Sequence, residues 1–172
     1  MSFVVGTHPR GAPLDFAVRL LTSVHLRSYR SDDWTVVCEI YNLSKPEELL
    51  GVPESGSILP LEADSDMQTL FRGSQVLVAE CADRIAGFGG SRGSFITWLF
   101  VHPAFRRRGV ATALVRDMLA RLQQPVTLNV MVSNIPARAL YERIGFNVER
   151  EFQGNFQGRS CSVAKLRYET AA

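Results

Sequence analysis

The sequence predicts one mixed α/β domain of the α+β kind, a mostly antiparallel sheet of six to seven strands with helices on both faces. Three observations carry this. The apolar runs 74–81, 84–91 and 94–101 are joined by short turns, which makes them antiparallel neighbours. Two helices with apolar stripes flank one cleanly alternating run, 126–132. The first of those helices links strand 94–101 to strand 126–132, as in a right-handed parallel crossover.

The elements follow in the order β-α-α-β-β-β-α-β-α-β-β. "SVHLRSYR" (23–30) reads as a first strand. Ser31 is placed to cap a helix whose apolar face is Trp34, Val37, Cys38 and Tyr41, spaced i, i+3, i+4, i+7. Pro and Gly then break up "LSKPEELLGVPESGS". A shorter helix carries Met67, Leu70 and Phe71 and ends before Gly73. After the three antiparallel strands, a helix over about 109–123 lines up Ala111, Leu114, Val115, Met118 and Leu122. In run 126–132, Val126, Leu128, Val130 and Val132 share one face. Ser133 or Asn134 caps the next helix, Pro136 suits its first turn, and Ala137, Leu140, Tyr141 and Ile144 line one side. Gly145 stands where a left-handed terminating residue belongs. Strands over about 147–154 and 161–168 complete the sheet.

Bulk properties narrow the function classes. The 172 residues suit one domain, and 46% hydrophobic with 21% charged residues is ordinary for a globular chain. A net charge of +2 is too small to suggest nucleic acid or membrane as a partner. No apolar run nears the roughly 20 residues of a membrane span. The N-terminal stretch lacks the pattern of a signal peptide, and its Gly, Pro and His suggest a loose extension. Cys38, Cys81 and Cys161 are far apart and form no CxxC, so free thiols in a reducing compartment, the cytoplasm, are expected.

Motif spacing excludes several chemistries. In "GFGGSRG" (87–93) a G-x-G-x-x-G started at Gly87 would need a glycine at Arg92, and no helix follows, so a bulge or hairpin turn is expected instead. There is no GxxxxGK[ST], no zinc spacing and no GxSxG elbow. The remaining site is "FVHPAFRRRGVATALV" (100–115), where Arg106, Arg107 and Arg108 run into a helix start. Cations are unfavourable at that positive end of the helix dipole. They become tolerable if the unsatisfied amides there bind an anion such as a phosphate. Gly109 and Ala111 leave room for a bulky anion to approach the backbone.

Arg106, Gly109 and Ala111 spell R-x-x-G-x-A after "LFVHPAF", which resembles the acyl-CoA-binding motif of the GNAT N-acetyltransferases. Segment 128–146 resembles that family's second motif, N-x-x-A-x-x-L-Y-E-x-x-G-F, through Asn134, Ala137, Leu140, Tyr141, Glu142, Gly145 and Phe146. The two motifs stand in the right order, one helix and one strand apart. The likeness covers 23–168 as an element order and 94–146 in detail. It marks 23–172 as a GNAT-like domain and leaves 1–22 as an N-terminal extension.

The resemblance implies the acyl-CoA N-acyltransferase fold and transfer of the acetyl group of acetyl-CoA to a primary amine, by direct attack in a ternary complex. Arg107, Arg108, Gly109, Val110, Ala111 and Thr112 would hold the pyrophosphate through their amides, with the Arg106 side chain and its neighbours reaching the phosphates. Leu99, Phe100 and Val101 would pair with pantetheine like an added strand, and a backbone N–H there would polarise the thioester carbonyl. The family's fourth and fifth strands splay to admit the cofactor, and Asn134 and Ala137 would lie against its pantetheine arm. Tyr141 matches the family's general acid, which protonates the departing thiolate.

Many relatives carry a glutamate on the fourth strand, and "SFITWLFV" has none. Glu39, Glu80, His25 and His102 are therefore base candidates with none selected, and an acyl-CoA-holding or sensor module of the same fold is the alternative reading. Thr97 and Trp98 are candidates to line the acceptor pocket, Trp98 favouring an apolar or cationic acceptor. The family's acceptor regions fall on "EIYNLSKPEELLGVPESGS", with Glu39, Glu47 and Glu48, and on "FQGNFQGRS", with Phe152, Phe156 and Arg159. The expected partners are acetyl-CoA and an amine acceptor. The acceptor's identity stays open, as does the oligomeric state, for which a homodimer is one option.

Overall fold

Seven strands form one sheet in the computed structural model, which describes residues 23–50 and 57–170. They are β1 (His25–Ser28), β2 (Gln75–Cys81), β3 (Arg84–Arg92), β4 (Phe95–Val101), β5 (Val126–Met131), β6 (Asn147–Phe156) and β7 (Arg159–Tyr168). Their order across the sheet is β1-β2-β3-β4-β5-β7-β6. Neighbours are antiparallel except β4 and β5, which are parallel as the connecting helix requires. The helices are α1 (Trp34–Glu48), α2 (Ser65–Arg72), α3 (Val110–Arg121) and α4 (Ile135–Ile144). None of the described helices is long and apolar enough to cross a membrane. The expected extension, 1–22, lies outside the described residues.

Alternation along the strands sorts the core into two layers. On the α3 and α4 side, Ile96, Leu128 and Val130 pack with Val115, Met118 and Tyr141. On the α1 and α2 side, Phe88 and Trp98 pack with Ile40, Tyr41 and Phe71. Burying Leu114 and Val115 of α3 completely is worth about 1.5–3 kcal/mol each.

Three local expectations change. Ser31 does not cap α1; it begins a 3₁₀ turn, Ser31–Asp33. The buried Asp33 accepts from the Arg30 N–H at 2.7 Å and pairs bidentately with Arg27 at 2.7 and 2.9 Å. That guanidinium holds the Asp33 carboxyl below its ordinary pKa, and a carboxylate so committed outcompetes a serine hydroxyl for the helix start.

Nor does α1 stop at the "LSKPEELL" stretch: it runs through Pro46 to Glu48. Proline this close to the helix end forfeits one backbone bond, and the inward packing of Tyr41, Ser44, Lys45 and Leu49 compensates.

"GFGG" is strand interior, with the turn further on at Gly93 (φ +57°). A Cβ on Gly87 would lie 2.7 Å from the Phe100 carbonyl oxygen, and one on Gly90 would lie 2.9 Å from the Trp98 ring. Glycine is needed there for close packing. The anticipated bulge is present at Gly90–Ser91, where Thr97 is the extra residue of β4.

Candidate active site

The bulge at Thr97 sets up the site. Pairing of β4 with β5 is confined to Phe95–Thr127 and Ile96–Leu128, and beyond Ile96 the two strands part. On its other edge β4 stays paired with β3 as far as Val101, and the His102 N–H bonds Ala86 O at 2.9 Å. Backbone groups alternate along an antiparallel ladder. Trp98 and Phe100 therefore spend theirs on β3, while Leu99 and Val101 aim theirs into the gap. The Val101 carbonyl is already engaged there by Ser44 Oγ at 3.1 Å and by Arg106 Nε at 3.5 Å. The remaining groups of Leu99 and the Val101 N–H form an open edge for one further strand-like partner.

At the mouth of the gap stands the start of α3. Gly109 adopts φ +83° and Arg107 φ +61°, two left-handed residues in three. This turn leaves the backbone N–H groups of 107–112 without acceptors among the described residues; the first bonded amide is Ala113, on Gly109 O at 2.9 Å. A row of such donors with the helix dipole behind it, worth roughly half a positive charge, is an anion site. No atom lies within 4 Å of where a Gly109 Cβ would be, so the approach is open. Arg107 and Arg108 are exposed, Arg108 lying 5.5 Å from the Phe105 ring centroid. Arg106 turns the other way and forms an ion pair with Glu47 at the end of α1.

Beyond the gap, Asn134 caps α4 by accepting from the Ala137 N–H at 3.2 Å, which decides between Ser133 and Asn134. Ala137 is half-buried against the core. Tyr141 is 6% exposed, and its ring meets Phe146 edge-on at 5.5 Å. Burial, and secondarily the negative charge of Glu48, push its phenol above the ordinary tyrosine range. The hydroxyl therefore stays protonated as pH rises past 10, which suits a proton donor.

The last turn of α1 lies in the first of the expected acceptor regions, but its position at the gap was not legible. It bridges the gap on the α1/α2 side. Ser44 reaches β4 through Val101 O, while Leu49 packs on Met131 of β5 and Cys161 of β7. Between them Lys45 Nζ binds Glu48 at 2.8 Å and lies 4.1 Å from the Phe156 ring centroid and 5.9 Å from that of Phe100. A signal existed: the stripe Val37, Cys38, Tyr41 continues at the same spacing through Ser44, Lys45 and Glu48, polar residues on an inward face.

Other candidates move away from the gap. Glu80 binds Arg27 at 2.7 Å and His25 at 3.3 Å at the far β1–β2 edge, so neither His25 nor Glu80 is available as a base at the gap. His102 Nδ1 caps the short turn at Pro103 by accepting from Ala104 N–H, while its Nε2 faces the exposed Glu39 at 3.9 Å. Trp98 is 2% exposed inside the aromatic layer, and the Thr97 hydroxyl bonds Ser74 Oγ at 2.9 Å. Trp98 thus belongs to the core, and the half-buried Thr97 is tied to the end of α2 through Ser74 rather than to the gap.

The two acceptor regions named above meet where Lys45 Nζ stands over the Phe156 ring. Just past the first region, the Leu59 N–H donates to Gln157 of the β6–β7 turn at 3.0 Å, and Gln157 donates to Asp64 at 2.6 Å. Around this clamp lies a cleft of about 680 Å³, walled by Leu59, Asp64, Met67, Asn155 and Phe156 among others.

A mostly antiparallel open sheet whose central parallel pair splits, with helices on both faces, defines the acyl-CoA N-acyltransferase fold. The model of the acetyltransferase (GNAT) family matches residues 34–146, and the chain belongs to that family. It is 24% identical over 151 residues to YafP of Escherichia coli, an uncharacterized N-acetyltransferase, covering 87% of this chain and 98% of that one. Over 57 residues it is 42% identical to the human cysteine-rich protein 2-binding protein, covering 33% of this chain and only 7% of the human one. Among solved structures, a GCN5-related N-acetyltransferase from Rhodopseudomonas palustris superposes with a TM-score of 0.70 at 18% identity, covering 85% of this chain and 95% of that one. The Salmonella typhimurium protein yncA, solved with its cofactor acetyl-CoA, gives 0.63 at 19% identity, covering 87% and 97%.

Proposed function

We propose that this protein transfers the acetyl group of acetyl-CoA to a primary amine by direct attack within a ternary complex. The observation that carries the reading is the pairing of two unfilled binding features in one place. The open edge of Leu99 and Val101 and the row of unbonded amides at 107–112 follow one another along the chain. The first suits an amide-bearing arm and the second a pyrophosphate. Acetyl-CoA is the ligand that a relative of this fold, yncA, was solved with.

In this reading the Val101 N–H polarises the thioester carbonyl and holds the oxyanion of the tetrahedral intermediate. Arg107 and Arg108 screen the phosphates at the mouth. Arg106 acts at the opposite side, fixing the end of β4 to α1 through Val101 O and Glu47. Asn134 and Ala137 flank the pantetheine arm where β5 passes into α4. Tyr141 gives its proton to the departing sulfur. The acceptor enters from the cleft between the α2 start and the β6–β7 turn. The three cysteines are buried and unpaired, which supports a reducing compartment such as the cytoplasm.

Incubating the chain with acetyl-CoA and a panel of primary amines, with free CoA thiol as readout, tests this. Release of CoA dependent on at least one amine is expected. Binding of acetyl-CoA without release across the panel would leave a module that only holds the acyl carrier.

A further inference from the structure

β4 carries no carboxylate, so on the reading just given the proton of the acceptor ammonium has no evident destination. We propose that Glu48, presented across the gap by the last turn of α1, is the base that deprotonates the acceptor amine.

Position is the first argument. The last turn of α1 spans the parting of β4 and β5 on one side of the sheet, from Ser44 on Val101 O to Leu49 on Met131 and Cys161. Tyr141 belongs to the core layer on the opposite side, with Val115 and Val130. Glu48 Oε2 lies 2.8 Å from Lys45 Nζ, which itself stands 5.9 Å from the Phe100 ring of β4 and 4.1 Å from the Phe156 ring at the end of β6, so the carboxylate is held at the parting of the sheet. A carboxylate on one side and a phenol on the other is the arrangement acyl transfer to an amine requires.

Its fixation is the second argument. Glu48 is held by Lys45 at 2.8 Å, and Lys45 is in turn held over the Phe156 ring, with its side chain only 10% exposed. A surface ion pair would leave both side chains free to rotate. The Glu48 side chain keeps 22% of its exposure, a route by which a proton can leave to solvent.

The charged and titratable groups around it are Lys45, Tyr41, Tyr141 and Cys161, together with Glu47, which Arg106 occupies. Glu47 is turned to Arg106 at the β4 end, whereas Glu48 is held by Lys45 alone at the parting of the strands. The step balances. Glu48 takes one proton from the ammonium and passes it to water. The nitrogen attacks the thioester carbon, a C–N bond forms and the C–S bond breaks. The nitrogen's second proton is lost to Tyr141 as Tyr141 gives its own to the thiolate, leaving an amide, CoA thiol and one proton in solution.

A comparison of two acceptors separates this role from simple support of α1. With Glu48→Gln, kcat/KM should fall about a hundredfold for an amine that is protonated at the assay pH. It should fall only a few-fold for an amine of low pKa that is already neutral. Acetyl-CoA binding, followed by calorimetry, should be unchanged. Equal losses for both amines, or no loss, would overturn the assignment. Should Glu48→Gln not fold, Glu48→Asp displaces the carboxylate by one methylene, and the same inequality between the two amines is expected, equal losses again contradicting it. A wild-type chain that releases no CoA with any amine would overturn the base together with the acetyltransferase reading. Wild-type turnover with an indifferent Glu48 variant would overturn the base alone.

Discussion

Tyr141 carries two sequence signals, a place on an apolar stripe and a match to the position proposed for the proton donor. The fold is compatible with both: the ring packs in the core beside Phe146, and burial favours the protonated hydroxyl. Tyr141→Phe retains the packing and removes the proton, so kcat should fall by about a hundredfold or more. Acetyl-CoA affinity should hold to within a factor of two or so, and the mutant should unfold at the same denaturant concentration. Steady-state turnover beside calorimetric binding checks this; a variant with unchanged kcat would remove Tyr141 from the chemistry. Residues whose sequence signal was only their chemical type were placed less well. Trp98 and Thr97 suggested a pocket, but at the bulge in β4 Trp98 enters the core and the half-buried Thr97 bonds Ser74. Bulges shift which face a side chain takes without any mark in periodicity. His25 and Glu80 offered plausible base chemistry, and Arg27, distant in sequence from Glu80, absorbs Glu80, which in turn holds His25.

Among the elements, α3 and the turn before it were almost fully legible. The three arginines, the glycine and the small residues each suggested an anion at the helix start, and the N–H groups of 107–112 there have no acceptor among the described residues. Arg107 holds a positive φ there, a strained angle for a residue with a side chain, beside Gly109, which adopts one freely. Gly109→Ala tests this at an informative place, because no neighbouring atom obstructs a Cβ and the whole effect comes from the backbone angle. Stability should drop by roughly 1 kcal/mol. Acetyl-CoA affinity should fall several-fold as the turn relaxes and disperses its amides. Denaturant unfolding and calorimetry measure the two. Lost stability with intact affinity would detach the turn from the cofactor. By contrast α1 was misjudged at its end. Pro46 reads as a breaker, but tertiary contacts of Tyr41, Ser44 and Lys45 carried the helix through it, and with it Glu48, which the sequence marked only as one of three acids in an acceptor region.

At the scale of the molecule, strand count, order of elements and the two-faced sheet were all readable from periodicity and turn spacing. What was not readable is how the sheet divides. Four strands with α1 and α2, and three strands with α4, meet through two residue pairs of β4 and β5, the α3 crossover, the last turn of α1 and the Gln157 clamp. Such pairing is a long-range property that local patterning does not encode. The division concentrates a backbone edge, an anion site, a proton donor and a carboxylate at one seam. The central claim is that the β4 edge and the α3 start form one continuous acetyl-CoA site. Amide hydrogen exchange with and without saturating acetyl-CoA tests it most directly. Protection should rise together at Leu99, Val101 and 107–112, and leave the distant β1–β2 edge unchanged. Equal exchange at those amides in the presence of bound acetyl-CoA would contradict it.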